Sequence, residues 1–186
     1  FAREKHAKLI YAGSSTKFGD NGKNKTESPY ALSKSINSEL VKSYCEWNDV
    51  PYAIVYFYNA YGPGETNNGK YATVIGRFLK LLKEGASELP VTQPGTQMRN
   101  FTHIDDIVTA LDLVGRYAEG DLFGIGSDRA YSILDIVSAL GVQPKFTDGK
   151  RGNRMSAELL TEKTKALGWA PTKDLMKYLK DEIKKY

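Results

Sequence analysis

Two apolar runs on either side of an amphipathic stretch dominate the first third of the chain. Residues 8–15 (KLIYAGSS) are a short apolar run ending in small residues, as buried parallel strands do, and residues 52–58 (YAIVYFY) are a second, continuous apolar run. Between them, Ser28 and Pro29 begin a segment whose apolar positions recur at helical spacing to about Trp47. Strand, helix and strand in this order predict a right-handed βαβ unit.

The pattern is less regular after the turn cluster NAYGPG at residues 59–64. Helices are predicted near residues 71–84, 105–116, 132–140 and 161–167 and from residue 172 onward, and strands near residues 100–103 and 122–126. We expect no regular structure over residues 85–98 or 142–153. The alternation of strands and helices favours an α/β fold with a parallel sheet.

The composition excludes several classes of protein. Of the 186 residues, 41% are hydrophobic and 26% charged, as in globular domains. The single cysteine, Cys45, excludes an internal disulfide, and the two histidines form no cluster with zinc-ligand spacing. No apolar run reaches the roughly 18 residues of a membrane span, and the charged first residues are unlike a signal peptide. We therefore predict a cytoplasmic protein with no metal site and no membrane association.

The net charge of +4 adds little about partners. Basic residues alternate with acidic ones along the chain, whereas a nucleic-acid face needs lysines and arginines clustered with stacking aromatic side chains. We therefore expect no nucleic-acid partner. A small anionic molecule fits the charge equally well.

The clearest chemical signal is a tyrosine and a lysine four residues apart near the start of the first predicted helix. At this spacing Tyr30 and Lys34 share one helix face, with their Cβ atoms about 5–6 Å apart. A neighbouring ammonium stabilises the phenolate, so such a tyrosine can act as a base near neutral pH. Ser14 ends the preceding strand, at the sheet edge where open α/β sheets bind ligands. We expect Ser14 and Tyr30 to hydrogen-bond the same substrate oxygen.

Five stretches resemble, in order, the extended short-chain dehydrogenase/reductase family of nucleotide-sugar epimerases, dehydratases and reductases. They are SSTKFGD at residues 14–20, PYALSK at 29–34, FYNAYGP at 57–63, RNFTHIDD at 99–106 and LGWAP at 167–171. They cover nearly the whole chain, with two departures: Tyr56 stands where the family usually has Arg, and Asn100 where it commonly has Asp. The match is to the second half of such an enzyme, because no Gly-rich dinucleotide loop occurs in this sequence.

The resemblance implies a partial Rossmann-type, doubly wound parallel sheet with a small α+β substrate-binding subdomain. Residues 1–62 are then the C-terminal part of the dinucleotide-binding domain, including the helix with Tyr30 and Lys34. Residues 63–186 are mostly the substrate-binding domain, with about residues 99–116 returning to pack on the Rossmann sheet.

The family also implies roles for the residues at the edge of the sheet. By resemblance, Tyr30 exchanges a proton with a sugar hydroxyl, Lys34 makes the phenol more acidic and holds the nicotinamide ribose, and Ser14 completes the proton relay. The cofactor is expected to be NAD, with NADP less favoured. Tyr58 is implied as a further contact of the cofactor, beside Tyr30 and Lys34.

A nucleotide-diphosphate sugar is the substrate that the resemblance implies. Asn59 matches the family's asparagine that meets the diphosphate, and Arg99 matches the arginine that pairs with it. An amide donor and a guanidinium fork both suit a diphosphate. The family's late Arg-x-Gly-Asp motif reads KRGN at residues 150–153, so Arg151, or else Lys150, is expected to contact phosphate.

The two positions after Ser14 help to choose the reaction. Family members that eliminate water or carbon dioxide resemble one another in carrying an acidic residue there, to act as a general acid. Here the positions hold Ser15 and Thr16, which we expect to contact the substrate. This favours an isomerase similar to UDP-glucose 4-epimerase, acting through transient NAD-dependent oxidation to a keto sugar. The alternatives are an NADP-dependent reductase of the GDP-fucose-synthase type and a non-catalytic sugar-nucleotide-binding module.

The missing Gly-rich loop also leads to expectations about assembly. As a fragment or split half of an enzyme, the 186-residue chain alone is expected to bind NAD weakly and to be inactive. The strand at residues 8–15 is expected to be incompletely flanked, which favours aggregation or pairing with a chain that supplies the missing N-terminal half. The other expected partnership is a homodimer through the helix that carries Tyr30 and Lys34.

Overall fold

The computed structural model of the protein describes residues 1–69, 71–149 and 154–185. In chain order its strands and helices are β1 (Leu9–Ser14), α1 (Pro29–Trp47), β2 (Tyr52–Phe57), β3 (Ala60–Tyr61), α2 (Val74–Lys83), β4 (Glu88–Thr92), β5 (Met98–Asn100), β6 (Thr102–His103), α3 (Ile104–Tyr117), β7 (Gly120–Ile125), β8 (Ala130–Ser132), α4 (Ile133–Ala139), β9 (Gln143–Thr147), α5 (Glu162–Ala166) and α6 (Leu175–Ile183). The predicted α/β class is confirmed. Among the described residues, no helix is both long enough and apolar enough to cross a membrane.

The main sheet has three parallel strands in the order β1, β2, β7. Successive side chains of a strand point to opposite faces of the sheet, and β2 shows this alternation clearly. Tyr52, Ile54 and Tyr56 belong to an apolar cluster that includes residues of α1. Ala53 and Val55 belong to a second cluster, formed with α3. The sheet is therefore covered by helices on both faces, as the predicted doubly wound fold requires.

β1 forms one edge of this sheet. In the described part of the chain its ladder partner is β2, and no strand pairs with its outer side. Its side chains are less buried than those of β2: Ile10 is 38% exposed, whereas Ile54 is fully buried. The expectation of an incompletely flanked first strand is thus confirmed.

Two strands lie where the sequence predicted irregular structure. β4 and β9 pair in parallel over five positions, with Leu89 opposite Pro144 and Pro90 opposite Lys145. The prediction was wrong here because each short strand contains a proline, which lacks a backbone N–H and is typical of edges or loops. The two-stranded sheet tolerates both prolines because each strand has a side that needs no ladder hydrogen bond. β5 also extends into the segment predicted to be irregular, and it pairs antiparallel with β8.

A second apolar core lies outside the main sheet. It is built from α2, β4, α4 and α6, with buried side chains that include Phe78, Leu89, Ile136 and Leu179. α3 instead packs on the main sheet, where Ala110 and Val114 are fully buried. Each core thus has its own set of helices, and the division into domains at residue 62 stays a prediction.

Gly124 of β7 is in close contact with the chain segment that precedes α5. Its N–H donates to the Leu160 carbonyl over 2.8 Å, and its carbonyl accepts from the Thr164 hydroxyl over 2.8 Å. A Cβ at position 124 would lie 2.1 Å from the Leu160 oxygen, which is backbone and cannot move away alone. The glycine is therefore required by packing between β7 and this segment.

We predict that Gly124→Ala lowers the free energy of unfolding by about 1–3 kcal/mol, because overpacking forces the backbone apart. Gly115→Ala, within α3, is the matched control, since its Cβ would meet a side-chain methyl of Ile10 at 3.3 Å. That change should be neutral, or stabilising by up to about 1 kcal/mol, because alanine favours the helix. Urea denaturation measures both, and a Gly124→Ala protein as stable as the parent would contradict the packing account.

Candidate functional site

The candidate site lies at the carboxyl edge of the main sheet, where β1 and β2 end side by side. Ser14, the last residue of β1, is in register with Phe57, the last residue of β2. Tyr58 and Asn59 follow directly. The parallel pairing therefore brings the strand-end residues of the sequence motifs to one edge of the sheet, as predicted.

Ser14 is held by a short 3-10 turn over residues 15–18. Its Oγ accepts a hydrogen bond from the Thr16 N–H over 3.3 Å and another from the Thr16 hydroxyl over 3.0 Å. No acceptor for the hydrogen of Ser14 occurs among the residues that the structure describes. Thr16, which was expected to contact the substrate, thus holds the Ser14 hydroxyl in place.

α1 places Tyr30 and Lys34 beside the end of β1. Ser28 caps the helix by accepting from the Ala31 N–H over 3.1 Å, so the helix begins at Pro29, directly before Tyr30. The Lys34 ammonium donates to the Ala12 carbonyl over 2.8 Å. The Tyr30 side chain is 56% exposed, and in the described part of the chain it makes no hydrogen bond to Ser14 or Lys34. Lys34 is thus tied to β1, two residues before Ser14, while the phenol stays accessible to a ligand.

Two arginines stand next to this group, Arg154 buried and Arg99 half-buried. Arg154 is 7% exposed; its Nη2 donates to the Ser15 hydroxyl over 3.2 Å, and its Nη1 is buried without a hydrogen-bond partner among the described residues. Arg99 Nη2 donates to the Arg154 carbonyl over 2.6 Å. Burial lowers the pKa of Arg99 to about 10, and the nearby charge of Arg154 acts in the same direction. Burial lowers the pKa of Arg154 too, which is the mark of positive charge held away from water.

The carboxylate of Asp20 opposes these charges through space and raises the pKa of both arginines. The same carboxylate accepts hydrogen bonds from the backbone N–H groups of Met155 (3.0 and 3.2 Å) and Ser156 (3.1 Å). Two guanidinium groups thus lie beside a carboxylate that also accepts backbone hydrogen bonds, and a cluster of guanidinium groups suits an anion.

Asn59 and Arg99 both line a cavity of about 330 Å³ that opens between the sheet edge and α2. Asn59 has a positive φ of 29°, and its side-chain amide donates to the Asn100 carbonyl over 2.9 Å. The structure thus brings together the two residues that the sequence assigned to the diphosphate, although one donor of the Asn59 amide is already used within the protein.

Tyr58, expected to contact the cofactor, has its side chain fully buried. Its hydroxyl donates to the Glu158 carbonyl over 2.5 Å and accepts from the Leu160 N–H over 3.1 Å. In this structure the side chain therefore holds the backbone at residues 158–160, and its contact with a cofactor stays a prediction.

Sequence reasoning missed Arg154. It assigned the late phosphate contact to Arg151, which lies, with Lys150, outside the described residues. Arg154 is the next basic residue along the chain, and no periodicity marks it as buried. Ser15, expected to contact the substrate, is the residue to which Arg154 donates.

Comparison with known proteins agrees with this arrangement. The profile of the NAD dependent epimerase/dehydratase family matches residues 1–126. The low-salt glycan biosynthesis protein Agl12 of Haloferax volcanii is 29% identical over 163 residues, which cover 83% of this chain and 51% of that protein. The dTDP-L-rhamnose 4-epimerase of Burkholderia thailandensis is 30% identical over 155 residues, 77% of this chain and 42% of that protein. The chain thus spans about half the length of the curated relatives it matches.

The fold is also similar to that of solved enzymes with a Rossmann-type sheet. UDP-glucose 4-epimerase from Thermotoga maritima, solved with UDP-glucose, superposes with a TM-score of 0.82 at 22% identity, covering 95% of this chain and 62% of that one. The family profile covers well over half of this sequence and includes β1, α1, β2 and α3. The chain therefore belongs to the NAD dependent epimerase/dehydratase family, as its sequence motifs indicated.

Proposed function

We propose that the protein acts as a nucleotide-sugar 4-epimerase, with the diphosphate of its substrate bound at Arg99 and Arg154. The observation that carries this proposal is the adjacent pair of guanidinium groups at the carboxyl edge of the sheet, of which Arg154 is buried and Arg99 half-buried. A buried charge is costly unless a counter-charge with hydrogen-bond acceptors meets it. The acceptor-rich diphosphate of a nucleotide sugar supplies both.

The reaction follows from the three side chains beside those arginines. Tyr30 takes a proton from a sugar hydroxyl and returns it, while the Lys34 ammonium stabilises the phenolate. Ser14, held by Thr16, donates a hydrogen bond to the same sugar oxygen. The sugar carbon is oxidised to a ketone and then reduced again on the other face.

The neighbours of Ser14 favour epimerisation over elimination. A general acid is needed to expel water from a sugar. The two residues that follow Ser14 are Ser15, which accepts from Arg154, and Thr16, which donates to Ser14, so neither position holds an acid.

Two residues of this chain, Tyr30 and Lys34, fit the nicotinamide ribose end of the expected cofactor. Tyr30 and Lys34 stand at the carboxyl edge of the sheet, with the phenol more than half exposed, and would hold the nicotinamide ribose. NAD, when bound, accepts the hydride from the sugar and returns it. The sequence has no Gly-rich turn between a strand and a helix to hold the cofactor diphosphate, so we propose that this part comes from other residues than those of this chain.

An apolar face of α1 supports the proposed homodimer. Leu32, Ile36, Leu40 and Tyr44 recur every four residues on one side of the helix and are 41–61% exposed, and Trp47 at the helix end is 79% exposed. A shallow groove of about 340 Å³ runs along this face, between Ile36 and Trp47. A two-fold axis beside α1 would pack this face against its own copy.

We predict that Tyr30→Phe in the complete enzyme leaves cofactor binding unchanged and lowers the turnover of UDP-glucose by about 10²- to 10⁴-fold, because the proton-transfer group is lost. Tyr117→Phe, which removes a hydroxyl from a 69% exposed tyrosine at the end of α3, is the control and should turn over normally. Interconversion of the two C4 epimers is followed by chromatography of the nucleotide sugars.

Turnover by Tyr30→Phe close to that of the parent would contradict the catalytic assignment. If the parent consumes NADPH with a keto sugar but interconverts no epimers, the protein is a reductase and the epimerase proposal is wrong. Binding of UDP-glucose without any turnover by the parent enzyme would favour the non-catalytic module.

We also predict that Leu40→Lys raises the dissociation constant of the dimer by about 100-fold or more. The reason is that each copy loses roughly 1.5–3 kcal/mol of apolar burial at the interface. Phe146→Lys, on the exposed strand β9, is the matched control and should leave the dimer intact. Sedimentation velocity measures both, and an unchanged dimer in Leu40→Lys would remove α1 from the interface.

A further inference from the structure

Lys17 lies in the 3-10 turn that follows Ser14, and its ammonium is held within the fold instead of extending into water. The side chain is 17% exposed, and its Nζ donates to the Glu39 carboxylate over 2.6 Å. The same Nζ lies 3.5 Å from the Tyr56 hydroxyl and 5.7 Å from the centre of that ring. Ordering a lysine side chain costs rotamer entropy, which one surface ion pair seldom offsets. Several contacts therefore fix this ammonium together.

Tyr56 is itself fixed from the other side of the sheet. Its side chain is fully buried, and its hydroxyl donates to the Asp121 carboxylate over 2.8 Å. Burial raises the pKa of the phenol, so the hydroxyl keeps its proton and its oxygen can accept from an ammonium. Tyrosine at this position replaces the arginine that is usual in the family. The positive charge beside position 56 thus comes from Lys17, a residue of the turn that follows Ser14.

The ion pair joins this turn to the helix that carries the proton-transfer group. Glu39 is a residue of α1, the helix of Tyr30, and the hydrogen bond from Lys17 lowers the pKa of its carboxyl. The carboxylate is therefore charged at neutral pH, and the ion pair persists there.

A second contact connects the same helix to the end of β1. The Lys34 ammonium donates to the Ala12 carbonyl over 2.8 Å, and Lys34 and Glu39 lie about 1.4 helical turns apart on α1. Two contacts at different heights of a helix fix its rotation and its position along the axis. In the proposed function Lys34 also serves the phenol and the cofactor ribose, whereas the pair of Lys17 with Glu39 has no other task.

We propose that Lys17 is a positioning residue for the reaction, holding the turn of Ser14 and the helix of Tyr30 at the separation that lets both reach one sugar oxygen. This inference rests on the proposed function, because it concerns the same proton relay. The ammonium is engaged by Glu39 and Tyr56, so Lys17 acts through them and not on the sugar. The two arginines of the anion site are held by other contacts. Loss of Lys17 should therefore slow the chemical step without weakening substrate binding.

Steady-state kinetics of the complete enzyme with UDP-glucose test this role. Lys17→Met keeps the length of the side chain without its charge, and we expect kcat to fall about 10- to 100-fold while KM stays within about twofold, since a small misplacement of reacting groups slows chemistry strongly. Lys17→Arg keeps an ion pair with Glu39 and should restore kcat to within about threefold of the parent. Lys177→Met, at an exposed lysine of α6, is the matched control and should behave as the parent does.

A second variant removes the same ion pair from its exposed side, because the Glu39 side chain is 60% exposed. Glu39→Gln should lower kcat by about 3- to 10-fold with KM unchanged. Combined with Lys17→Met, it should slow the enzyme no further than Lys17→Met alone, because both changes remove one interaction. Glu39→Gln by itself decides the question if Lys17→Met does not fold.

The outcomes separate this inference from the function on which it rests. If the parent interconverts the C4 epimers and both variants keep its kcat, the positioning role is wrong and the epimerase stands. That conclusion also holds if Lys17→Met lowers the midpoint of urea denaturation without lowering kcat, since the lysine then serves stability alone. A rise in KM with unchanged kcat would overturn the inference as well. If the parent interconverts no epimers, the proposed function fails and this inference fails with it.

Discussion

The extended segment at residues 154–160 is the constraint on which the site depends. It crosses the carboxyl edge of the main sheet and is held there by hydrogen bonds of its backbone. The N–H groups of Met98 and Gly124 donate to the carbonyls of Met155 and Leu160. The N–H groups of Met155 and Ser156 donate to the Asp20 carboxylate. The hydroxyl of Tyr58 bonds two more backbone groups of the segment. These bonds position the segment so that the Arg154 guanidinium lies beside the Ser15 hydroxyl. The geometry of the anion site is therefore a product of long-range backbone pairing.

Holding Arg154 in place has an electrostatic cost. A guanidinium that is 7% exposed loses most of its hydration, and its Nη1, which has no hydrogen-bond partner in the described part of the chain, adds the cost of an unmade hydrogen bond. Arg99 lies next to it, and the charges of the two arginines repel. Such an arrangement persists only where the fold stabilises it from outside, as the segment 154–160 does. We propose that a ligand with two phosphates relieves both costs at once.

Much of this could be predicted from local sequence patterns. The βαβ unit followed from apolar periodicity, because β2 is buried on both faces and α1 has a proline and a capping serine at its start. The position of Tyr30 and Lys34 on one helix beside the end of β1 followed from helical spacing, whereas the bond of Lys34 to the Ala12 carbonyl did not. Local sequence patterns did not predict elements whose formation depends on residues far away in the sequence. β4 and β9 contain prolines and are strands only because they pair with each other. Arg154 is buried by contacts with residues more than fifty positions away, which no local signal reports.

The central claim is that Arg154 and Arg99 bind the diphosphate of the substrate, and a comparison of uridine with UDP tests it most directly. Calorimetry of the parent protein and of Arg154→Met gives the contribution of the phosphates in each, and Arg116→Met, at an exposed arginine of α3, serves as the control. The account predicts that UDP binds the parent about 100-fold more tightly than uridine and that this ratio falls at least tenfold in Arg154→Met but not in the control. An unchanged ratio in Arg154→Met would contradict it.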